Sequence, residues 1–314
     1  MMGAMNVDSV LERYGPPVTL PLPAWLVEAR GAVTTAAADL RRIDDDELAR
    51  TWRRDEPQGE AEVRYVFYRA LEAFERAAGL AERDVGAAGP RHAGSRPFAL
   101  ATMARWDLHG LLTSLDEPDL DADPGGGEWT VRQTLAHTVN VQRAYPSFSA
   151  WWLSRDDRGD LPAQVPDFVG EGFPEEADEG AGSLGEIRSR LDAAMDGAAE
   201  RLAVLDDARL ATPARWSGFA VDVGFRLGRM SSHLQEHTVQ VEKTLAMLGH
   251  GYRETDRLLR LVLRAYGRLE SAVYAVPQAL ADAGRDHVRD AIAEVTHEVA
   301  HVRRPGSVAA AESV

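Results

Sequence analysis

Long segments rich in Ala, Leu, Arg and Glu recur along the 314-residue chain, and stretches rich in Gly and Pro separate them. Within these segments apolar residues recur every three or four positions, which is the spacing of one face of an α-helix. In residues 61–79, for example, Val63, Val66 and Phe74 fall near one face. This pattern predicts an all-α protein.

The predicted helices fall into three groups, with two in residues 23–90, four in 95–250 and two in 251–304. Four consecutive helices predict an antiparallel, up-and-down four-helix bundle over 95–250. The flanking helices of 23–90 and 251–304 could pack together as a second bundle, with the middle unit inserted between them. Residues 1–22, which end in PPVTLPLP, are expected to be an extended arm, and 305–314 a flexible tail.

Single residues and loops refine these boundaries. Thr130 is a suitable N-cap for the second helix of the bundle, and Pro146 is expected to kink or divide that helix. Residues 154–183 are acidic and rich in Gly and Pro, and a loop of this length often forms a substrate wall. Residues 211–224 are expected to be a short irregular connection.

Charge, cysteine content and hydropathy exclude several classes of function. The formal net charge is −15, which argues against nucleic acid as a partner because binding a phosphate backbone needs a basic surface. The chain has no cysteine, which excludes disulfides, cysteine nucleophiles and cysteine-ligated zinc. No apolar run approaches the ~18 residues of a membrane span, and the N-terminus lacks a signal-peptide pattern. We therefore expect a cytoplasmic protein with no membrane partner.

The sequence THEVAH contains the His-Glu-x-x-His motif of zinc proteases at 297–301, in which two histidines bind zinc and the glutamate activates water. At ~100° per residue, His297 and His301 fall on the side opposite the apolar stripe of their helix. Glu312 is the one potential third ligand after the motif. We therefore expect a chance match, with both histidines exposed and free of metal.

A second pair, His233 and His237, also lies four residues apart and therefore shares a helix face. His237 lies about 50° from the centre of the apolar stripe and His233 about 90°, at the margin of the buried face. His137, in another helix of the bundle, lies at the edge of a similar apolar sector. Three converging imidazoles can bind a metal and leave coordination positions open. Spacing by itself favours the alternative, three separate histidines with ordinary helix contacts.

The order of these motifs resembles the DinB/YfiT-like superfamily, which includes mycothiol-dependent maleylpyruvate isomerases and related thiol transferases. The matching features are the Trp129-Thr-Val opening of a helix, His137 in LAH, and HLQEHTVQ, within roughly 95–250. The resemblance implies an up-and-down four-helix bundle that holds a divalent metal through one histidine of helix two and two ligands of helix four. Matched residue by residue, the metal ligands are His137, His233 and His237.

The resemblance also implies a reaction, in which the metal activates a low-molecular-weight, mycothiol-like thiol or polarises the carbonyl of an electrophilic substrate. Zinc is the expected metal, with nickel or iron as alternatives. Two departures concern the branch of the family. Both helix-four ligands are histidine where maleylpyruvate isomerases often have one glutamate, and Val239 stands where iron-dependent sulfoxide synthases favour glutamate.

Other side chains of the same helices are candidates for places around the metal. Asn140 and Gln240 each lie three residues after a histidine and could orient a ligand or substrate, while arginines could hold a substrate carboxylate. We predict catalytic roles for Asn140, Arg143 and Gln240, and places in the cofactor site for Arg226, Tyr145 and Trp152. The alternative function is a non-catalytic DinB-like protein that binds a metal or small ligand, and a homodimer is left open.

Overall fold

The structure, a computed structural model, describes residues 9–53, 59–156 and 159–303, and the described chain is almost entirely helical, which confirms the predicted all-α class. The α-helices are α1 Ser9–Tyr14, α2 Ala24–Arg41, α3 Tyr65–Ala88, α4 Ser95–Leu112, α5 Val131–Ser154, α6 Glu176–Glu179, α7 Leu184–Leu202, α8 Asp207–Leu210, α9 Val223–Met247, α10 Glu254–Val273 and α11 Gln278–Val302. Two antiparallel hairpins pair β1 Thr51–Arg53 with β2 Glu60–Glu62, and β3 Pro213–Trp216 with β4 Phe219–Asp222. None of the described helices combines the length and apolar content that a membrane crossing requires.

The predicted four-helix bundle consists of α4, α5, α7 and α9, which surround a common core. Helix α9 packs between α4 and α5, and α7 packs against α5 and α4 on the other side. The side-chain amide of Gln142 on α5 donates to the carbonyl oxygen of Met230 on α9 at 2.9 Å, which fixes the register of these two antiparallel helices. Thr130 caps α5 as predicted, and its hydroxyl accepts from the backbone N–H of Gln133.

The direction of the helices refines the up-and-down arrangement, because the order along the chain is up, down, down, up. Arg132 near the start of α5 donates to the carbonyl oxygens of Gly180 and Gly182 just before α7, so α5 and α7 run in the same direction. The long connection 155–183 makes this possible, since it returns the chain to the end of the bundle where α5 began.

Helices α2, α3, α10 and α11 pack together beside this bundle, and α10 also packs along α4. Gly267 permits the close approach of α10 to α4, since a Cβ there would lie 2.7 Å from the Cβ of Trp106. Gly284 permits a similarly close approach of α11 to the end of α10, because a Cβ there would lie 2.5 Å from Val273 Cγ1. The helices before and after the four-helix bundle are thus neighbours in space.

Four sequence expectations differ from the structure. Part of the supposed extended arm forms α1, because the adjacent apolar residues Val10 and Leu11 are buried. Helix α5 continues through Pro146, so of the two outcomes expected there, a kink or a division, the division is wrong. The sequence predicts the break between the last two helices near residue 284, but it lies at 274–277, where Pro277 precedes the first turn of α11. Both hairpins were missed, and 211–224 contains one of them. The flexible tail predicted at 305–314 lies outside the described residues.

A buried ionic cluster joins the two sets of helices. Glu270 of α10 is 0% exposed and accepts hydrogen bonds from Arg30 of α2 and from Arg105 of α4. The indole Nε1 of Trp106 donates to its second oxygen at 3.0 Å. Arg30 also pairs with Asp196 of α7 at 2.6 Å. One carboxylate therefore neutralises charges on two helices, and four helices meet at the cluster.

We expect Glu270→Gln to lower the free energy of unfolding by about 3–5 kcal/mol, because it leaves buried guanidinium groups short of negative charge. The matched control is Glu294→Gln, which removes an ion pair with Arg76 on the surface and should cost less than about 1 kcal/mol. Urea unfolding followed by circular dichroism measures both. Equal, small effects of the two substitutions would show that the guanidinium groups of the cluster do not need the charge of Glu270.

Candidate metal centre

Three histidine side chains meet between α5 and α9. His137 comes from α5, and His233 and His237 come from consecutive turns of α9. One potential ligand atom from each residue lies within 4.8 Å of the other two. The Nε2 atoms of His233 and His237 are 2.9 Å apart. The convergence expected from helix orientation is therefore present, and nitrogen is a preferred ligand atom of zinc and other transition metals.

Hydrogen bonds donated by the outer ring nitrogens orient two of the three imidazoles. Nδ1 of His237 donates to Oε1 of Gln240 at 2.7 Å, and Nδ1 of His137 donates to Oε2 of Glu176 at 3.1 Å. A neutral imidazole with its proton on Nδ1 has a lone pair on Nε2. Both rings thus present Nε2 as a ligand, in the arrangement that metal-bound histidines commonly have.

Glu176 is the functional candidate that the sequence did not reveal. It lies on α6 within the long 155–183 connection, and its Oε2 also accepts from Nδ2 of Asn140 at 3.0 Å. Asn140 therefore positions the carboxylate that orients His137. Periodicity within α5 gives no signal for a partner 36–39 residues away, and the acidic composition of the loop was the one available indication.

Burial holds the α9 histidines in the neutral state. His233 is 6% exposed, and its burial lowers its pKa to about 3, with the neighbouring His237 and His137 contributing in the same direction. Burial also lowers the pKa of His237, and the hydrogen bond to Gln240 opposes that shift. Both imidazoles are therefore unprotonated at neutral pH, which is the state that binds metal ions.

An open cleft of about 660 Å³ begins beside the cluster, and its lining includes residues of α5 and α9. Tyr145 connects the two, because it lines the cleft and its ring meets that of His233 edge-on at 5.6 Å. Phe148 and Arg226 line the part farther from the histidines, and residues 164–167 of the long connection with Trp216 of β3 form the outer wall. The long connection thus forms part of the cleft wall, and its contact with a substrate stays a prediction.

Two predicted site residues have other roles. Arg143 is 7% exposed and pairs with the fully buried Glu179 at 2.8 Å, so its guanidinium is occupied within the protein. Trp152 is 1% exposed and packs on Trp151 at a ring distance of 4.6 Å. It lies fifteen residues beyond His137, or ~22 Å along α5. Trp152 therefore belongs to the core instead of the predicted cofactor site, and Arg143 to an internal ion pair.

The His-Glu-x-x-His motif of α11 is only partly as expected. His297 is exposed, but His301 is 9% exposed, so the prediction that both are exposed was wrong. The ring of Trp52 on β1 meets that of His301 edge-on at 5.7 Å. The β1–β2 hairpin, which helical periodicity did not predict, thus packs against this part of α11.

Comparison with known proteins supports the identity of the bundle. A family model of the DinB superfamily matches residues 100–241, a segment that runs from α4 into α9 and contains all three histidines. Comparisons with curated proteins and with solved structures gave no match. The match covers the helices that build the site, while α2, α3, α10 and α11 lie outside it. The four-helix bundle that carries His137, His233 and His237 belongs to the DinB superfamily.

Proposed function

We propose that this protein is a metal-dependent enzyme, a transferase or isomerase that uses a low-molecular-weight thiol of the mycothiol type and acts on a small electrophilic substrate. The observation that carries the proposal is the cluster of His137, His233 and His237 beside an open cleft. Three protein ligands that leave coordination positions open are typical of catalytic metal sites. Zinc suits three imidazoles, and nickel or iron accepts the same ligands.

A divalent metal at this position supplies Lewis acidity, which lowers the pKa of a thiol or polarises a carbonyl group. The chain has no cysteine, so the thiol group of the proposed reaction must come from a cosubstrate. Membership of the DinB superfamily and the resemblance to mycothiol-dependent maleylpyruvate isomerases support a thiol in this role. A cytoplasmic location, where such thiols remain reduced, goes with the proposal.

The protein itself supplies orientation and a shaped site. Glu176 and Gln240 keep a proton on the outer nitrogen of their histidines, so that the inner nitrogens remain ligands. The rings of Tyr145, Phe148 and Trp216 line the cleft and reduce the water around a bound substrate. These contacts hold the reactants near the metal ligands in a fixed orientation, which is a large part of enzymatic rate enhancement.

We expect His137→Ala and His237→Ala each to lose the metal and the thiol-dependent activity together, because two imidazoles bind a divalent ion much more weakly than three. His297→Ala is the matched control, since it removes a histidine of the α11 motif and should keep both. Elemental analysis of the purified proteins and turnover with a panel of thiols measure the two properties. Full activity in both cluster variants would exclude the proposed site.

The same experiment separates the enzyme from a non-catalytic binding protein. An enzyme requires turnover that depends on both the metal and the thiol. Metal bound by the wild type and lost from the cluster variants, with no turnover of any thiol and electrophile pair, would favour the binding protein. Loss of metal from His297→Ala would instead indicate that the metal binds at the His-Glu-x-x-His motif of α11.

We expect Glu176→Gln to weaken metal binding by about 10–100-fold, because a neutral amide orients and polarises His137 less well than a carboxylate. Glu175→Gln is the matched control, since Glu175 is the exposed preceding residue and its side chain does not cap α6. Competition with a metallochromic chelator gives both affinities. Equal affinities for Glu176→Gln and the wild type would show that the contact with His137 has no role in metal binding.

A further inference from the structure

Arg226 is a buried cation at the wall of the cleft. Its side chain lies near the start of α9 and the residue is 4% exposed. Nη1 donates to the carbonyl oxygen of Arg215 at 2.8 Å, and the buried Nε has no hydrogen-bond partner. In the described part of the chain, no aspartate or glutamate forms an ion pair with it. Its guanidinium therefore faces the cleft without a counter-ion.

The other deeply buried arginines of the bundle are paired. Arg143 pairs with Glu179, and Arg105 pairs with Glu270. A buried charge without a partner is costly, and the burial of Arg226 lowers its pKa to about 10. An unpaired guanidinium kept at a cleft wall is therefore best explained by a ligand that brings the missing negative charge.

The position of Arg226 along α9 relates it to the histidine cluster. Arg226 and His233 are seven residues apart, which is about two helical turns, so they lie near the same face and ~10.5 Å apart along the axis. The antiparallel α5 runs beside both residues and contacts each of them through an aromatic ring. Tyr145 meets the ring of His233, and the ring of Phe148 lies 6.0 Å from the guanidinium carbon of Arg226. The cleft thus extends from Arg226 to Tyr145, whose ring contacts His233 of the cluster.

We propose that this cleft binds a small organic carboxylate with an apolar, planar body. The carboxylate pairs with the guanidinium of Arg226, the body lies against Phe148 and Trp216, and the opposite end reaches the histidine cluster. This assignment of the reacting end rests on the proposed metal-dependent function. The anion subsite itself does not, because it is built from groups outside the cluster.

The remaining charged groups limit the ligand further. Asp167 and Glu171 line the loop side of the cleft, and both are exposed to solvent. They repel a second negative charge near the mouth, so a monocarboxylate fits the outer part of the cleft better than a ligand with several anionic groups there. Arg215, which is partly exposed and also lines the cleft, adds to the attraction near Arg226.

The test compares two isosteric probes, 3-phenylpropionate and 3-phenylpropionamide, by calorimetry with the full-length, metal-free protein. We expect the wild type to bind the acid about tenfold or more tightly than the amide, because the pair with Arg226 is a charge-assisted, bidentate contact. Arg226→Met should abolish this preference and Arg226→Lys should keep part of it. Arg76→Met, which changes an arginine of the surface, is the matched control and should bind both probes like the wild type.

Thermal unfolding separates a binding role from a structural one. An arginine retained for stability would lower the melting temperature when it is replaced. Removal of an unpaired buried charge should leave the melting temperature of the ligand-free protein unchanged or raise it. A lower melting temperature of Arg226→Met with an unchanged preference for the acid would overturn the proposal.

Other outcomes keep this proposal distinct from the proposed enzyme function. Equal binding of acid and amide by the wild type, or no binding of either at millimolar concentration, removes the anion subsite and leaves the metal chemistry standing. If the wild type prefers the acid but elemental analysis and metal titration show that it cannot bind a metal, the enzyme function is excluded and the anion subsite stands. If Arg226→Met does not fold, Arg226→Lys and the wild-type comparison decide the question.

Discussion

The carboxylate of Glu270 is the contact on which the arrangement of the helices depends most. It accepts hydrogen bonds from guanidinium groups of α2 and α4, and α7 joins through Asp196. A buried ion cluster gains little net stability, because the desolvation of its charges offsets their attraction. A wrong helix register, however, would leave some of these charges unpaired, so the cluster acts mainly on specificity. Because α4 also packs against α9, this specificity extends to the helix that carries two of the three histidines.

The long 155–183 connection between α5 and α7 determines both the direction of α7 and the position of Glu176. Its Gly- and Pro-rich sequence suggests mobility, yet its last residues are held to the bundle by Arg132 and Arg190, which donate to backbone carbonyl oxygens between residues 179 and 182. The buried Glu179 adds an ion pair with Arg143. These contacts hold α6 beside α5, where Glu176 reaches His137. The parallel direction of α5 and α7 and the orientation of His137, a proposed metal ligand, therefore have the same origin.

The sequence predicted the features that depend on local periodicity and missed those that depend on distant contacts. Apolar spacing identified the eight long helices but misplaced the end of α3 and the break between α10 and α11 by seven to ten residues. Helix orientation placed His233 and His237 at the margin of the buried face. The ligand set also needed the family resemblance, since spacing did not favour it. Glu176, the hairpins and the burial of His301 depend on segments that meet only in the folded chain. Trp152 shows the opposite error, because a shared helix face does not bring residues fifteen positions apart into one site.

Helix α9 carries two of the proposed metal ligands, the amide that orients one of them, and the unpaired cation of the cleft. An α-helix is nearly incompressible along its axis, so the separation between its ligands and its cation is fixed by backbone geometry and not by loop conformation. The helix therefore determines the length of the molecule that can span from the histidines to the cation. A cation moved by one turn would change that length by ~5.4 Å, while changes in the surrounding loops would alter the width of the cleft and leave the measured length unchanged.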